Sequence, residues 1–189
     1  AVPLAEDGGH DLDAMAAAVD ERTRLVVVCN PNNPTGRYRS AAAIESFLDV
    51  LPEDLAVVVD EAYFDFVSEI DAGRGRSMAR ERANLLVTRT FSKAHGLCGL
   101  RVGYGVGGRE WVAALDRVRQ PFNTGSPAQA AALDSLRHPE QLTRPSPAFV
   151  AGRDPLQPSL GEDPFAFTPS RRHLCPVVPG AAPPPAPAL

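Results

Sequence analysis

The sequence predicts an α/β fold, a mostly parallel sheet with helices on both faces. Three observations carry that expectation. Short apolar runs rich in β-branched residues recur along the chain and read as buried parallel strands. Helical periods alternate with them, the order of a strand–helix–strand architecture. Each of the first three runs also ends abruptly in polar turn chemistry.

Leu12, Met15, Ala16 and Val19 fall at i, i+3, i+4 and i+7, an amphipathic helix. Leu25–Cys29 is the first strand, and Asn30 to Gly36 is a turn built from asparagine, proline and glycine. Ser40 is placed to cap a helix carrying Ile44, Phe47, Leu48 and Leu51. Leu55–Val59 is the second strand and stops at Asp60; Leu85–Thr90 is the third, and Leu100–Val106 the fourth. Helices are expected over Glu110–Arg119 and Pro127–Arg137. From residue 139 to 189, 13 of 51 residues are proline, against 6 in the preceding 138. No amphipathic period survives there. Residues 1–138 therefore read as one folded core, and 139–189 as a proline-rich tail that is disordered or non-native to the fold, as a frameshift near residue 139 would produce.

The composition is ordinary for a globular protein, with 44% hydrophobic and 22% charged residues. A net charge of −4, without a basic stripe, argues against a nucleic-acid partner. No apolar run approaches the roughly 20 residues that span a bilayer, so no membrane helix is expected. There is no signal-peptide pattern and no initiator methionine, and the chain reads as starting inside a longer protein. Cys29, Cys98 and Cys175 are scattered with no CxxC or Cys/His cluster, which suggests a reducing compartment, the cytoplasm, and no metal site.

Ligand sites of open α/β sheets lie at the carboxyl ends of the strands. There the sequence puts Asn30-Pro31-Asn32-Asn33-Pro34-Thr35-Gly36, Asp60-Glu61-Ala62-Tyr63 and Thr90-Phe91-Ser92-Lys93. Lys93 precedes a glycine-rich stretch, where a partly buried amine loses its proton and becomes a nucleophile. Thr90 and Ser92 offer hydroxyls to a phosphate, and Arg101 a fixed charge to the same group. Asp60 can keep a ring nitrogen protonated, the usual protein lever on pyridoxal phosphate, and Tyr63 and Asn33 can donate to a ring oxygen.

The segments CNPNNPTG, VVVDEAYFDF and TRTFSKAHGLCGLRVGYG resemble three signatures of fold-type-I aminotransferases, in the same order and over residues 1–138. The closest resemblance is to histidinol-phosphate aminotransferases and their aromatic relatives. It implies the large-domain core of such an enzyme, with the C-terminal small domain missing or disrupted, and pyridoxal 5'-phosphate as cofactor. Lys93 would hold the cofactor as a Schiff base and move a proton at the substrate carbon. Asp60 would pair with the pyridinium, Tyr63 and Asn33 with the ring oxygen, and Ser92, Arg101 and Thr90 with the phosphate. The partners implied are a small-molecule amino donor and a 2-oxo acid acceptor, with glutamate and 2-oxoglutarate as one pair, and a second copy in a homodimer. Arg119 and Asn123 are further candidates for substrate contact, whereas His95 reads as structural or as a neighbour of the cofactor.

Two other readings stay open: a cofactor-binding sensor domain of a transcriptional regulator, and an inactive truncated aminotransferase. Another reaction on the same cofactor, such as decarboxylation, would share Lys93 and Asp60. Gly103, Gly105 and Gly108 match G-x-G-x-x-G, but no second strand ending in an acid follows, so a dinucleotide site is not expected. Glu61, next to Asp60, reads as a cap or salt-bridge partner.

Overall fold

The fold follows from the β-branched runs. In the computed structural model, which describes residues 1–67 and 74–142 and the backbone of 166–167 and 177–178, the strands are β1 Leu25–Cys29, β2 Ala56–Asp60, β3 Leu85–Thr90 and β4 Gly103–Gly107. They form one sheet in the order β1-β2-β3-β4. The first three are parallel, in the register Val26↔Val57↔Leu85 and Val28↔Val59↔Val87, and β4 runs antiparallel to β3.

That register places Val26, Val28, Val57, Val59, Leu85 and Val87 on one face. Three helices cover it: α1 Leu12–Ala17, α2 Ala41–Val50 and α3 Arg74–Glu81. Ser40 caps α2 by accepting from the Ala43 N–H at 3.1 Å, as its position predicts. Ile44, Phe47 and Leu48 of α2 then point into the core, each contributing about 1.5–3 kcal/mol through burial. On the opposite face Leu25 and Val27 of β1 are half exposed. The expectation of helices on both faces is thus met on the α1–α3 face, while the other keeps open apolar positions beside the strand ends.

Helices α4 Arg109–Val118 and α5 Ser126–Arg137 fall where the sequence predicts them. Helix α5 presses Ala128 and Ala132 onto Phe91 and Val102, a small second core at the end of β3. Helix α3 was not predicted: its sequence, RGRSMARE, contributes only Gly75, Met78 and Ala79 to the interior. The fourth strand begins at Gly103 rather than Leu100. Cys98–Leu100 is a short 3-10 turn, and Arg101 is left-handed at φ 51°, so the chain cannot extend until it has passed this corner. Gly103 and Gly105 lie within β4, not in a phosphate-binding turn. Among the described residues no helix is long and apolar enough to cross a membrane.

Of the predicted tail, the structure describes the 3-10 turn Pro139–Gln141, Leu142, and an antiparallel pair of two-residue strands, β5 Ala166–Phe167 and β6 Val177–Val178. The expected disorder of the remainder lies outside the described residues.

Candidate functional site

Side chains alternate across a strand, so the residues opposite the core valines share the open face. At the carboxyl ends these are Cys29, Asp60 and Thr88, side by side in register. Asp60 is half-buried and accepts from the Ala62 N–H at 3.0 Å and from the Thr88 hydroxyl at 3.4 Å. The ladder continues one residue further, with Asn30 N–H donating to the Asp60 carbonyl and Glu61 N–H to that of Thr88, each at 2.9 Å. These bonds fix where the loops leave the sheet. His10 braces β1 by accepting the Cys29 N–H at 3.2 Å, and burial lowers the imidazole pKa in keeping with that acceptor role.

The asparagine loop divides its labour. Asn30 and Asn32 are buried and structural. Asn30 exchanges two hydrogen bonds with the Arg39 backbone, at 2.7 and 2.8 Å, and Asn32 donates to the Thr35 hydroxyl. Asn33, the predicted site residue, is exposed on the outside of the turn and makes no side-chain hydrogen bond among the described residues. Arg39 anchors the loop to the N-terminal segment through a two-pronged contact with Asp7, which holds that carboxyl below its ordinary value.

The loop after β3 is closed on itself. Gly96 N–H donates to the Lys93 carbonyl and Leu97 N–H to that of Phe91, both at 2.9 Å, and Gly96 supplies the positive φ of 71° that the turn requires. Ser92 N–H donates to the Thr90 hydroxyl at 3.0 Å. Arg101, turned back by its left-handed backbone, donates to Ser92 Oγ at 3.3 Å and to the Cys98 carbonyl at 2.8 Å. Thr90, Ser92 and Arg101 are therefore brought together as the sequence predicts.

Lys93 is not partly buried, as expected from its glycine-rich neighbourhood, but exposed. The closed turn carries it outside the sheet, with Nζ 5.2 Å from the centre of the Tyr63 ring. Tyr63 is 5% exposed and begins the short turn Phe64–Phe66 that follows β2. Arg119 and Asn123, the further candidates for substrate contact, are exposed and bonded to each other, and Arg119 also bonds to Asp116.

Residues 1–183 match the family described as aminotransferase class I and II. The chain belongs to that family. An aromatic amino acid aminotransferase of Rhodococcus erythropolis is 48% identical over 161 residues, covering 85% of this chain and 44% of the relative. A histidinol-phosphate aminotransferase of Ralstonia nicotianae is 47% identical over 166 residues, covering 88% and 44%. The crystal structure of the Sinorhizobium meliloti histidinol-phosphate aminotransferase in complex with pyridoxal-5'-phosphate superposes with a TM-score of 0.81 at 32% identity, over 90% of this chain and 46% of that one. The chain thus spans under half the length of these three relatives, and it has the sheet of the aminotransferase large domain.

Sequence reasoning missed two groups beside this site, Thr88 and Arg89. Thr88 bonds to Asp60, and strand alternation alone would have placed it there. Arg89 is buried in β3 against Glu61: Nε donates to Oε2 at 2.7 Å, Nη2 lies 2.6 Å from the same oxygen without a hydrogen-bonding orientation, and the guanidinium covers the Phe64 ring at 3.5 Å. Burial pushes the Glu61 carboxyl above its ordinary value, against the pull of Arg89. Lys93 is also the only lysine among nineteen lysines and arginines, a signal present in the composition.

Proposed function

We propose that this chain carries the cofactor-anchoring part of a transaminase site that takes pyridoxal 5'-phosphate. The observation that supports it most is the meeting of Lys93 with the Tyr63 ring, beside the Ser92–Arg101 pair and at the same sheet end as Asp60. The donor set suits the cofactor. An arginine stays charged at any relevant pH, whereas a lysine can become a neutral nucleophile. Every other cationic side chain of the arginine–lysine type here is arginine, so Lys93 stands alone in that chemistry.

In this reading Lys93 holds the cofactor and then carries the proton at the substrate carbon. Asp60, oriented by Ala62 and Thr88, would pair with the ring nitrogen and keep it protonated. Tyr63 and Asn33 serve the ring oxygen, and Thr90, Ser92 and Arg101 the phosphate. When bound, the cofactor supplies the electron sink that stabilises negative charge at the substrate carbon. The matched relatives support an amino donor of the histidinol-phosphate or aromatic kind; glutamate and 2-oxoglutarate as the second pair are part of the proposal alone. Residues 1–138 are the cofactor-binding core, and the whole protein works as a cytoplasmic homodimer.

A second reading, an inactive aminotransferase-like chain, draws on the exposure of Lys93 and Arg101. Visible absorption spectra of the purified chain with pyridoxal phosphate, beside Lys93→Ala, separate the two. The first predicts a pH-sensitive band in the native chain that the substitution removes. Identical spectra would leave only the second.

A further inference from the structure

A partly buried polar chain joins three elements next to this site and has no part in the roles above. His95 Nδ1 lies 2.6 Å from the Ser135 hydroxyl of α5, and its Nε2 lies 3.6 Å from Asp65 Oδ2. The His95 and Asp65 side chains are 6% and 9% exposed. The Phe91 ring packs against the imidazole with centres 4.7 Å apart.

Its position in the fold indicates another use. Lys93 and His95 ride on one turn, closed by the Gly96-to-Lys93 and Leu97-to-Phe91 backbone bonds. Tyr63 and Asp65 ride on a second turn, closed by Phe66 N–H to the Tyr63 carbonyl at 3.1 Å and Val67 N–H to that of Phe64 at 3.0 Å. Each turn is closed by its own backbone bonds, so the His95–Asp65 contact and the Lys93–Tyr63 contact bridge the same two turns. Ser135 fixes the imidazole from the far side and ties it to α5, which otherwise seats only Ala128 and Ala132 on Phe91 and Val102. A Ser135 hydroxyl donating to Nδ1 leaves the proton on Nε2, facing the Asp65 carboxylate.

We propose that Asp65, His95 and Ser135 are positioning residues that hold Lys93 over the Tyr63 ring, so that the amine waits where the cofactor is to be bound. The inference rests on the Lys93 reading for its purpose and on the two turns for its geometry. A group on an otherwise exposed side chain gains reach from such a brace, because small misplacements of a reacting group cost up to about 100-fold in rate.

Because Lys93 is the only lysine, reductive methylation with ¹³C-formaldehyde gives one side-chain N-methyl signal in the cofactor-free chain. Held over Tyr63, that signal carries a ring-current shift, and Tyr63→Leu marks its position without the ring. His95→Phe keeps the packing on Phe91 and removes both polar contacts. It is expected to move the signal to the Tyr63→Leu position and to weaken pyridoxal phosphate binding about tenfold, the scale of a hydrogen bond to a charged group. Asp65→Ala is expected to do the same, and Asp65→Asn, which keeps an acceptor for Nε2, to restore both. If His95→Phe fails to fold, Asp65→Ala and Ser135→Ala are read in the same spectrum. A folded His95→Phe or Asp65→Ala variant with the native signal overturns the proposal. If the native chain shows no cofactor band at all, the transaminase reading fails, and the N-methyl signal still decides whether the network positions Lys93.

Discussion

Glu61→Gln removes the charge that Arg89 meets in the interior, and its cost follows from the burial of the pair. The two side chains are 10% and 5% exposed, with Arg89 Nε donating to one carboxylate oxygen, Nη2 close to the same oxygen, and the guanidinium closed over Phe64. At an effective dielectric of about 20 and roughly 4 Å between charge centres, the attraction is about 4 kcal/mol. Losing it leaves Arg89 buried and uncompensated, a situation that costs about 3–5 kcal/mol. Whole domains are stable by about 5–15 kcal/mol, so the variant forfeits a large fraction. The double variant Glu61→Gln, Arg89→Met removes both charges and should recover most of the loss, because a buried pair contributes little beyond an apolar substitute. Urea unfolding followed by far-ultraviolet circular dichroism measures all three free energies. A single variant losing less than about 1 kcal/mol, or a double variant no more stable than the single, would refute the reasoning.

Gly103→Ala would put a methyl group 2.7 Å from the Arg89 carbonyl oxygen, which cannot yield without shifting β3. It should cost about 1–3 kcal/mol in the same assay, and a neutral result would mean that β4 is not held as close to β3 as described.

The sheet was legible because its signal is local. Leu25–Cys29, Leu55–Asp60 and Leu85–Thr90 are apolar enough to announce buried strands, and Ser40 announced the start of α2 by its cap. The site residues were legible because they follow those strands directly. What escaped was set by tertiary contact. Helix α3 carries several arginines and only a few interior positions, so no periodic stripe reveals it. The left-handed Arg101 shortened β4, and no residue-type preference marks that corner. Arg89 reads as an outward strand residue until Glu61, 28 positions earlier, is seen across the sheet. Asp65 and Ser135 lie 30 and 40 residues from His95, so no spacing in the sequence connects them. The exposure of Lys93 also depends on a closed turn that composition alone does not describe.

Borohydride reduction of the chain with pyridoxal phosphate, followed by peptide mass analysis, tests the central claim most directly, since only one lysine can carry the label. The account predicts a phosphopyridoxyl group on the peptide containing Lys93, at one per chain. An unlabelled Lys93 after reduction, or a label confined to the terminal amine, would contradict it.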